Sequence, residues 1–160
     1  MSPATGRGTL AVRGGRVIDE RGERNADVLV DEHGTIVDVG PNLTGDRTLD
    51  ASGCVVSPGF VDLHVHLRQP GKEEAETIET GARGAALGGF TAVVAMPNTD
   101  PTMDNASVIR DVLALARGVA CEVFPSAAIP VGRKGDALTP MAELVELGVR
   151  VFTDDGDGVQ

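Results

Sequence analysis

After Pro58 the chain changes rhythm. Short apolar, β-branched runs begin to alternate with longer stretches patterned for helix. The runs cover 60–66, 90–96 ("FTAVVAM"), 119–124 ("VACEVF") and 149–153 ("VRVFT"). Between them lie 73–88 ("EEAETIETGARGAALG"), 105–117 ("NASVIRDVLALAR") and 139–147 ("TPMAELVEL"). Strands that are apolar on both faces and separated by helices pair in parallel and are covered by those helices. The crossovers are then right-handed. The helix starts carry caps: Asp104 or Asn105 before the second, and Thr139 with Pro140 at the first helical position before the third. The expected class is α/β. Four such strands make either a small open sheet or the first half of a (β/α)8 TIM-type barrel, since a whole barrel takes about 250 residues.

Residues 9–56 read differently. Apolar residues roughly alternate along "TLAVRGGRVID", "NADVLVDEHGTIVDVG" and "TLDASGCVVSPG", and Gly, Asn and Asp punctuate them. This is the pattern of short strands and tight turns. His33 falls in the "DEHGTI" hairpin turn and reads as a solvated turn residue. Residues 1–8 are small and polar, and are expected to fray. Two domains follow, 1–57 and 58–160.

Composition excludes several classes of function. With a net charge of −10 and no basic run, the chain lacks the clustered Lys and Arg that nucleic acid requires. No stretch approaches the roughly 18 apolar residues of a membrane span, and the start of the chain has no signal-peptide core. No partner of either kind, nucleic acid or membrane, is expected. There are four Phe and no Trp or Tyr, so the core must be built from Val, Leu, Ile and Ala. Cys54 and Cys121 sit among apolar neighbours and read as buried thiols in a reducing cytoplasm.

The chemistry gathers where the later strands end, which is where α/β folds carry their sites. In "GFVDLHVHLRQPG", His64, His66 and Arg68 share one face if the strand runs that far, with Val65 and Leu67 facing the other way. Two imidazoles held two residues apart make either a metal clamp or an ordinary surface pair, and their place at the end of an apolar strand favours the clamp. Arg68 cannot bind a metal. Beside one, its planar fork suits a carboxylate, and the alternative is a surface salt bridge to Glu73 or Glu74. Asn98, in "MPNT", offers a donor and an acceptor for an amide or ureide edge, or is simply a turn residue. In "FTDDG" strand parity turns Thr153 and Asp155 inward if Phe152 and Asp154 face away. Asp155 is then the better ligand, with a plain Asp-Asp-Gly turn as the alternative. A calcium loop would need later ligands that are missing.

The combination "SPGFVDLHVHLRQPG", "AMPNTDPTMDN" and "FTDDGDGVQ" resembles dihydroorotase in the amidohydrolase superfamily, of the type without a carboxylated lysine. The resemblance covers nearly all of residues 9–160. It implies that 1–57 is part of a β-sandwich domain and that 58–160 are the first four βα units of the barrel. It also implies a site with two Zn2+. His64 and His66 would bind one zinc, and Asp155 would replace the carboxylated lysine as the bridging ligand. His66, Arg68 and Asn98 would hold the substrate, and Asp62 would support the clamp. Thr153 stands roughly where hydantoinases and allantoinases would carry the lysine. The implied reaction interconverts N-carbamoyl-L-aspartate and dihydroorotate in the cytoplasm. As for partners, the resemblance implies a homo-oligomer, open to association with aspartate transcarbamoylase.

The family pattern also calls for two further histidines and a proton-shuttling aspartate after later strands. No histidine follows His66 here. The chain is therefore expected to be the first part of a longer enzyme, with no catalytic acid of its own. The competing readings are an inactive dihydroorotase-like structural subunit and an allantoinase- or hydantoinase-type hydrolase.

Overall fold

A computed structural model describes residues 8–157. The chain divides into two compact units between Pro58 and Gly59. The first contains β1 (Leu10–Asp19), β2 (Gly22–Val30), β3 (Ile36–Gly40), β4 (Arg47–Asp50) and β5 (Val55–Val56). They form one five-stranded sheet in the order β3-β2-β1-β4, with β5 also on β1. β1 and β2 form an antiparallel pair, whereas β4 and β5 run parallel to β1.

The β1–β2 register slips between Val12 and Gly15. Gly14 absorbs the slip at φ 76°, a value costly for any residue with a Cβ. Its N–H donates to Asp27 Oδ1 at 2.9 Å, and Leu43 N–H donates to Oδ2 at 3.1 Å. Those bonds, Gly14's first, and the Arg13 guanidinium hold the Asp27 carboxyl below its ordinary pKa despite its burial. Val17, Ala26 and Val28 are buried here, packed by Val12, Val30, Val39 and Val56. Cys54 is exposed, contrary to the expectation from its apolar neighbours. It lies in a tight turn closed by Cys54 N–H to Ala51 O at 2.9 Å, and β5 begins only after it.

The second unit follows the alternating pattern: β6 (Phe60–Val65), α1 (Ile78–Leu87), β7 (Phe90–Ala95), α2 (Ala106–Leu115), β8 (Glu122–Pro125) and α3 (Met141–Glu146). Its strands make a parallel sheet in the order β6-β7-β8. Ile78 and Ala82 of α1, Ile109 and Val112 of α2, and Leu144 of α3 bury against Val93, Ala95 and Val123. Cys121 is buried in the same cluster, and desolvation pushes its thiol pKa up. Among the described residues no helix is long and apolar enough to cross a membrane.

Three boundaries depart from the sequence expectation. α1 starts at Ile78 because Thr77 and Thr80 form a reciprocal capping box, which leaves 73–76 outside the helix. At α3, Pro140 occupies the cap position with no side-chain cap bond. The Thr139 hydroxyl instead donates to Ala128 O at 2.9 Å. The fourth strand shrinks to a single parallel bridge, Ala127 to Phe152. On the edge of β8 away from β7, Ala127 N–H donates to Val151 O at 3.0 Å and Ala127 O accepts Thr153 N–H at 2.9 Å, while Pro125, two residues earlier on that edge, has no N–H to extend the ladder.

Ile109 is 0% exposed at the centre of this core. Ile109→Ala removes three buried carbons that its neighbours can only partly replace, so it should destabilise this unit by about 2–5 kcal/mol. Denaturant unfolding followed by helix signal checks this. A loss well below that range would mean that the site collapses freely.

Candidate metal centre

β6 ends at Val65, one residue short of His66. Strand alternation therefore does not carry to Arg68, and the expected shared face does not extend that far. Arg68 adopts φ 58°, and Gln69 N–H bonds to Leu67 O at 2.7 Å, which closes a three-residue turn around it. The loop after β6 is laced to the loop after β7. Asp100 N–H donates to Pro70 O at 3.1 Å. Gly71, at φ 101°, lies so close that an added Cβ would sit 2.2 Å from the Asp100 carbonyl oxygen. This close approach puts Arg68 and Asn98 at the same end of the sheet. Glu73, one of the two carboxylates considered for pairing with Arg68, accepts from Gly71 N–H at 2.9 Å.

His64, His66 and Asp155 converge, each with one ligand atom within 4.8 Å of the others. Asp155 Oδ1 lies 2.9 Å from His64 Nε2 and 3.8 Å from His66 Nε2. The two rings stand edge to face, with centroids 5.2 Å apart. Nitrogen and oxygen ligands ~2.0–2.1 Å from one tetrahedral zinc are about 3.3 Å from each other. The two observed separations bracket that value, so this group can hold a metal ion.

Asn98 ties the group together. Its Nδ2 donates to Asp155 Oδ2 at 2.8 Å, and its Oδ1 lies 3.0 Å from His66 Nδ1. Because the amide nitrogen is committed to the carboxylate, its oxygen must accept, and the proton resides on His66 Nδ1. His66 Nε2, 3.8 Å from Asp155 Oδ1, is then the nitrogen left for a metal. A metal-binding histidine needs this tautomer, and its other nitrogen commonly finds such a partner. Asn98 is thus neither a bare turn residue nor wholly free for another group. One N–H and one lone pair of its amide remain.

The structure brings Asp155, and not Asp154, to the histidines, though not by strand parity. Asp155 has φ 58° and lies in a turn, beyond the single bridge at Phe152. Its N–H donates to Thr153 Oγ1 at 3.1 Å. Asp154 is buried and turns back, accepting Ile129 N–H on Oδ1 at 2.9 Å. Asp62 Oδ1 accepts His64 N–H at 3.0 Å and so braces the clamp through the backbone. His33 is exposed beside Glu32 in its turn. The sequence reading missed Arg133, whose guanidinium reaches Asp154 O and the carboxylates of Asp155 and Asp157. The available signal was complementary charge: a basic "GRKG" loop set against an acidic "DDGD" run.

A dihydro-orotase-like family model matches residues 53–160. The dihydroorotase of Pelobacter propionicus is 46% identical over 153 residues, a match covering 92% of this chain and 36% of that protein. The dihydroorotase of Aquifex aeolicus is 43% identical over 155 residues, covering 94% of this chain and 36% of that protein. The chain thus spans about a third of the length of the curated relatives it matches. Among solved structures, the L-hydantoinase (dihydropyrimidinase) from Arthrobacter aurescens superposes with a TM-score of 0.75 at 23% identity. That match covers 89% of this chain and 32% of the hydantoinase, and at such identity it speaks for the fold alone. A D-hydantoinase from Bacillus sp. AR9 gives a TM-score of 0.63 at 32% identity, over 75% of this chain and 27% of that one. The His-x-His clamp, the asparagine that orients it and the aspartate it meets all fall within the residues the family model matches. On that match, the chain belongs to the dihydro-orotase-like family of the amidohydrolase superfamily.

Proposed function

We propose that the protein carrying this chain is a zinc-dependent dihydroorotase. In this reading it hydrolyses the ring amide of dihydroorotate and, in reverse, cyclises N-carbamoyl-L-aspartate with loss of water. The observation that carries the reading is the convergence of His64, His66 and Asp155, oriented by Asn98, in a chain about 45% identical to dihydroorotases. The two units are then part of the β-sandwich and the opening βα units of the (β/α)8 barrel, and the enzyme acts in the cytoplasm. Hydantoinase-type chemistry is the alternative that fold likeness favours. Thr153, in place of the lysine expected there, weighs against it.

His64, His66 and Asp155 would hold zinc, with Asp155 available to a second ion that residues outside this chain complete. Zinc, when bound, lowers the pKa of water from 15.7 to about 7 and polarises the amide carbonyl. Asn98 keeps His66 Nδ1 protonated and Asp155 turned inward, so both ligands are set before substrate arrives. Arg68 would pair with the substrate carboxylate through its fork, and the remaining N–H of Asn98 would assist it. The shuttle of the proton to the leaving nitrogen would fall to the aspartate that the family pattern calls for, which is not among these residues.

Arg68→Lys keeps the charge but loses the bidentate geometry. In the protein at its natural length it should lose about tenfold or more in kcat/KM on dihydroorotate, with zinc content unchanged. Arg68→Met should lose more. Steady-state kinetics with parallel metal analysis decides the matter, and an Arg68→Met enzyme with ordinary kcat/KM would remove Arg68 from the site.

A further inference from the structure

We propose that Arg133 is a positioning residue for the metal carboxylate, holding the 154–157 turn so that Asp155 presents Oδ1 to the ion. The inference rests on the metal centre described above and adds a residue that neither the clamp motif nor the turn motif contains.

The loop from Pro130 to Leu138 is well anchored. Pro130 and Leu138 form an antiparallel bridge, and Val131 N–H bonds to Ala137 O at 2.8 Å. Gly132 N–H donates to Asp104 Oδ2 at 2.7 Å, next to the Asn105 cap of α2. Gly132 and Arg133 are both left-handed, at φ 62° and 61°. Glycine tolerates that region and arginine does not favour it. The arginine adopts it where its guanidinium meets the acidic turn.

The guanidinium makes three contacts there. Nε donates to the Asp154 carbonyl at 3.2 Å, Nη2 pairs with the Asp157 carboxylate, and Nη2 stands 4.0 Å from Asp155 Oδ2. The Arg133 side chain is 19% exposed and that of Asp155 13%, so these two are largely withdrawn from water, whereas Asp157 lies at the exposed rim. The two oxygens of Asp155 are thereby divided. Oδ2 faces Asn98 Nδ2 and Arg133, whereas Oδ1 faces His64 and His66. Without the arginine, three aspartates within four residues would repel one another on a turn otherwise held by Ile129 N–H on Asp154 Oδ1, Asp157 N–H on Asp154 O, and Asn98 Nδ2 on Asp155 Oδ2.

A cation near a metal site also repels the metal, which opposes the gain from orienting its ligand. Asp157 neutralises Arg133 at close range, so the pair exerts little net field on an ion at Oδ1. What remains is the mechanical tie, and losing it costs affinity. Outer contacts that orient ligands are commonly worth about 10–100-fold in metal binding.

The test uses the protein at its natural length, with wild type, Arg133→Met, Arg133→Lys and His64→Ala compared. Zinc affinity is read by chelator competition, ligand geometry by the visible spectrum of the cobalt(II)-substituted protein, and folding by circular dichroism of the metal-free form. Arg133→Met is expected to bind zinc about tenfold or more weakly, with an altered cobalt spectrum. Arg133→Lys keeps the charge without the Nε bond to Asp154 O and should recover only part of that loss. A purely structural arginine would lower the melting temperature of the metal-free form and leave zinc affinity unchanged, which would overturn the proposal. If His64→Ala loses zinc while both Arg133 variants bind it like wild type, the Arg133 assignment fails and the metal centre stands. If His64→Ala binds zinc like wild type, the centre itself is misplaced and the proposal falls with it.

Discussion

Replacing either His64 or His66 by alanine, in the protein at its natural length, should abolish zinc binding at the clamp and turnover of dihydroorotate together. The clamp supplies two of the three ligand atoms that converge on Asp155 Oδ1. Catalytic zinc is typically held by three protein ligands and a water, so losing one removes a third of the coordination that makes the water acidic. The two variants should also differ. His64 lacks a side-chain partner other than Asp155 among the bonds described, whereas His66 is tied to Asn98. His66→Ala therefore also frees the Asn98 amide oxygen and loosens Asp155, and should be at least as damaging. Metal content by mass spectrometry and kinetics on one preparation give the answer. Full zinc with a near-normal rate in either variant would show that the clamp is not the catalytic centre.

Much of this site was legible because its motifs lie at strand ends. The apolar runs at 60–66 and 90–96 could hardly be anything but strands; the first ends on His64 and His66, and Asn98 follows two residues after the second. Alternation failed only where the backbone left the strand. Arg68 lies in a turn at φ 58°, and nothing in the sequence marks a left-handed arginine. Asp155, rather than Asp154, meets the histidines for a different reason from the one parity supplies. A turn, with Asp154 anchored on Ile129, aims it. The fourth strand was read from the β-branched "VRVF", but the run's own propensity says nothing of its partner, where Pro125 offers no N–H and leaves Ala127 to make the one bridge. Cys54 misled in the same way, because a local apolar neighbourhood says little about a residue at a turn. Arg133 was invisible to motif reading because its contacts lie about twenty residues away in sequence and depend on how a loop folds back.

Residues 1–160 produced as such should self-associate and show no detectable hydrolysis of dihydroorotate, even with zinc added. The first half of this expectation comes from the sheet edge. Among the described residues β6 pairs only with β7, so its other edge offers backbone donors and acceptors without a strand partner there. The same strand exposes Phe60 at 60%, Val61 at 57% and Leu63 at 69%. An apolar strand with a free edge is a template for a second chain. The second half comes from counting ligands. Among the described residues the metal-capable group is His64, His66 and Asp155, which suffices for one zinc and leaves a second without ligands. A single zinc could bind water, but the proton-shuttling aspartate that the resemblance calls for is not among the described residues, and a general acid is typically worth 10²–10⁴ in rate. The expected result is up to one zinc per chain, a mass in solution above that of the monomer, and a rate indistinguishable from zinc in buffer. Sedimentation, metal analysis and a dihydroorotate assay on the same sample decide it. A stable monomer turning over dihydroorotate at an ordinary enzymatic rate would mean that the β6 edge is covered from within, and that the proton reaches the leaving nitrogen from a group in this chain.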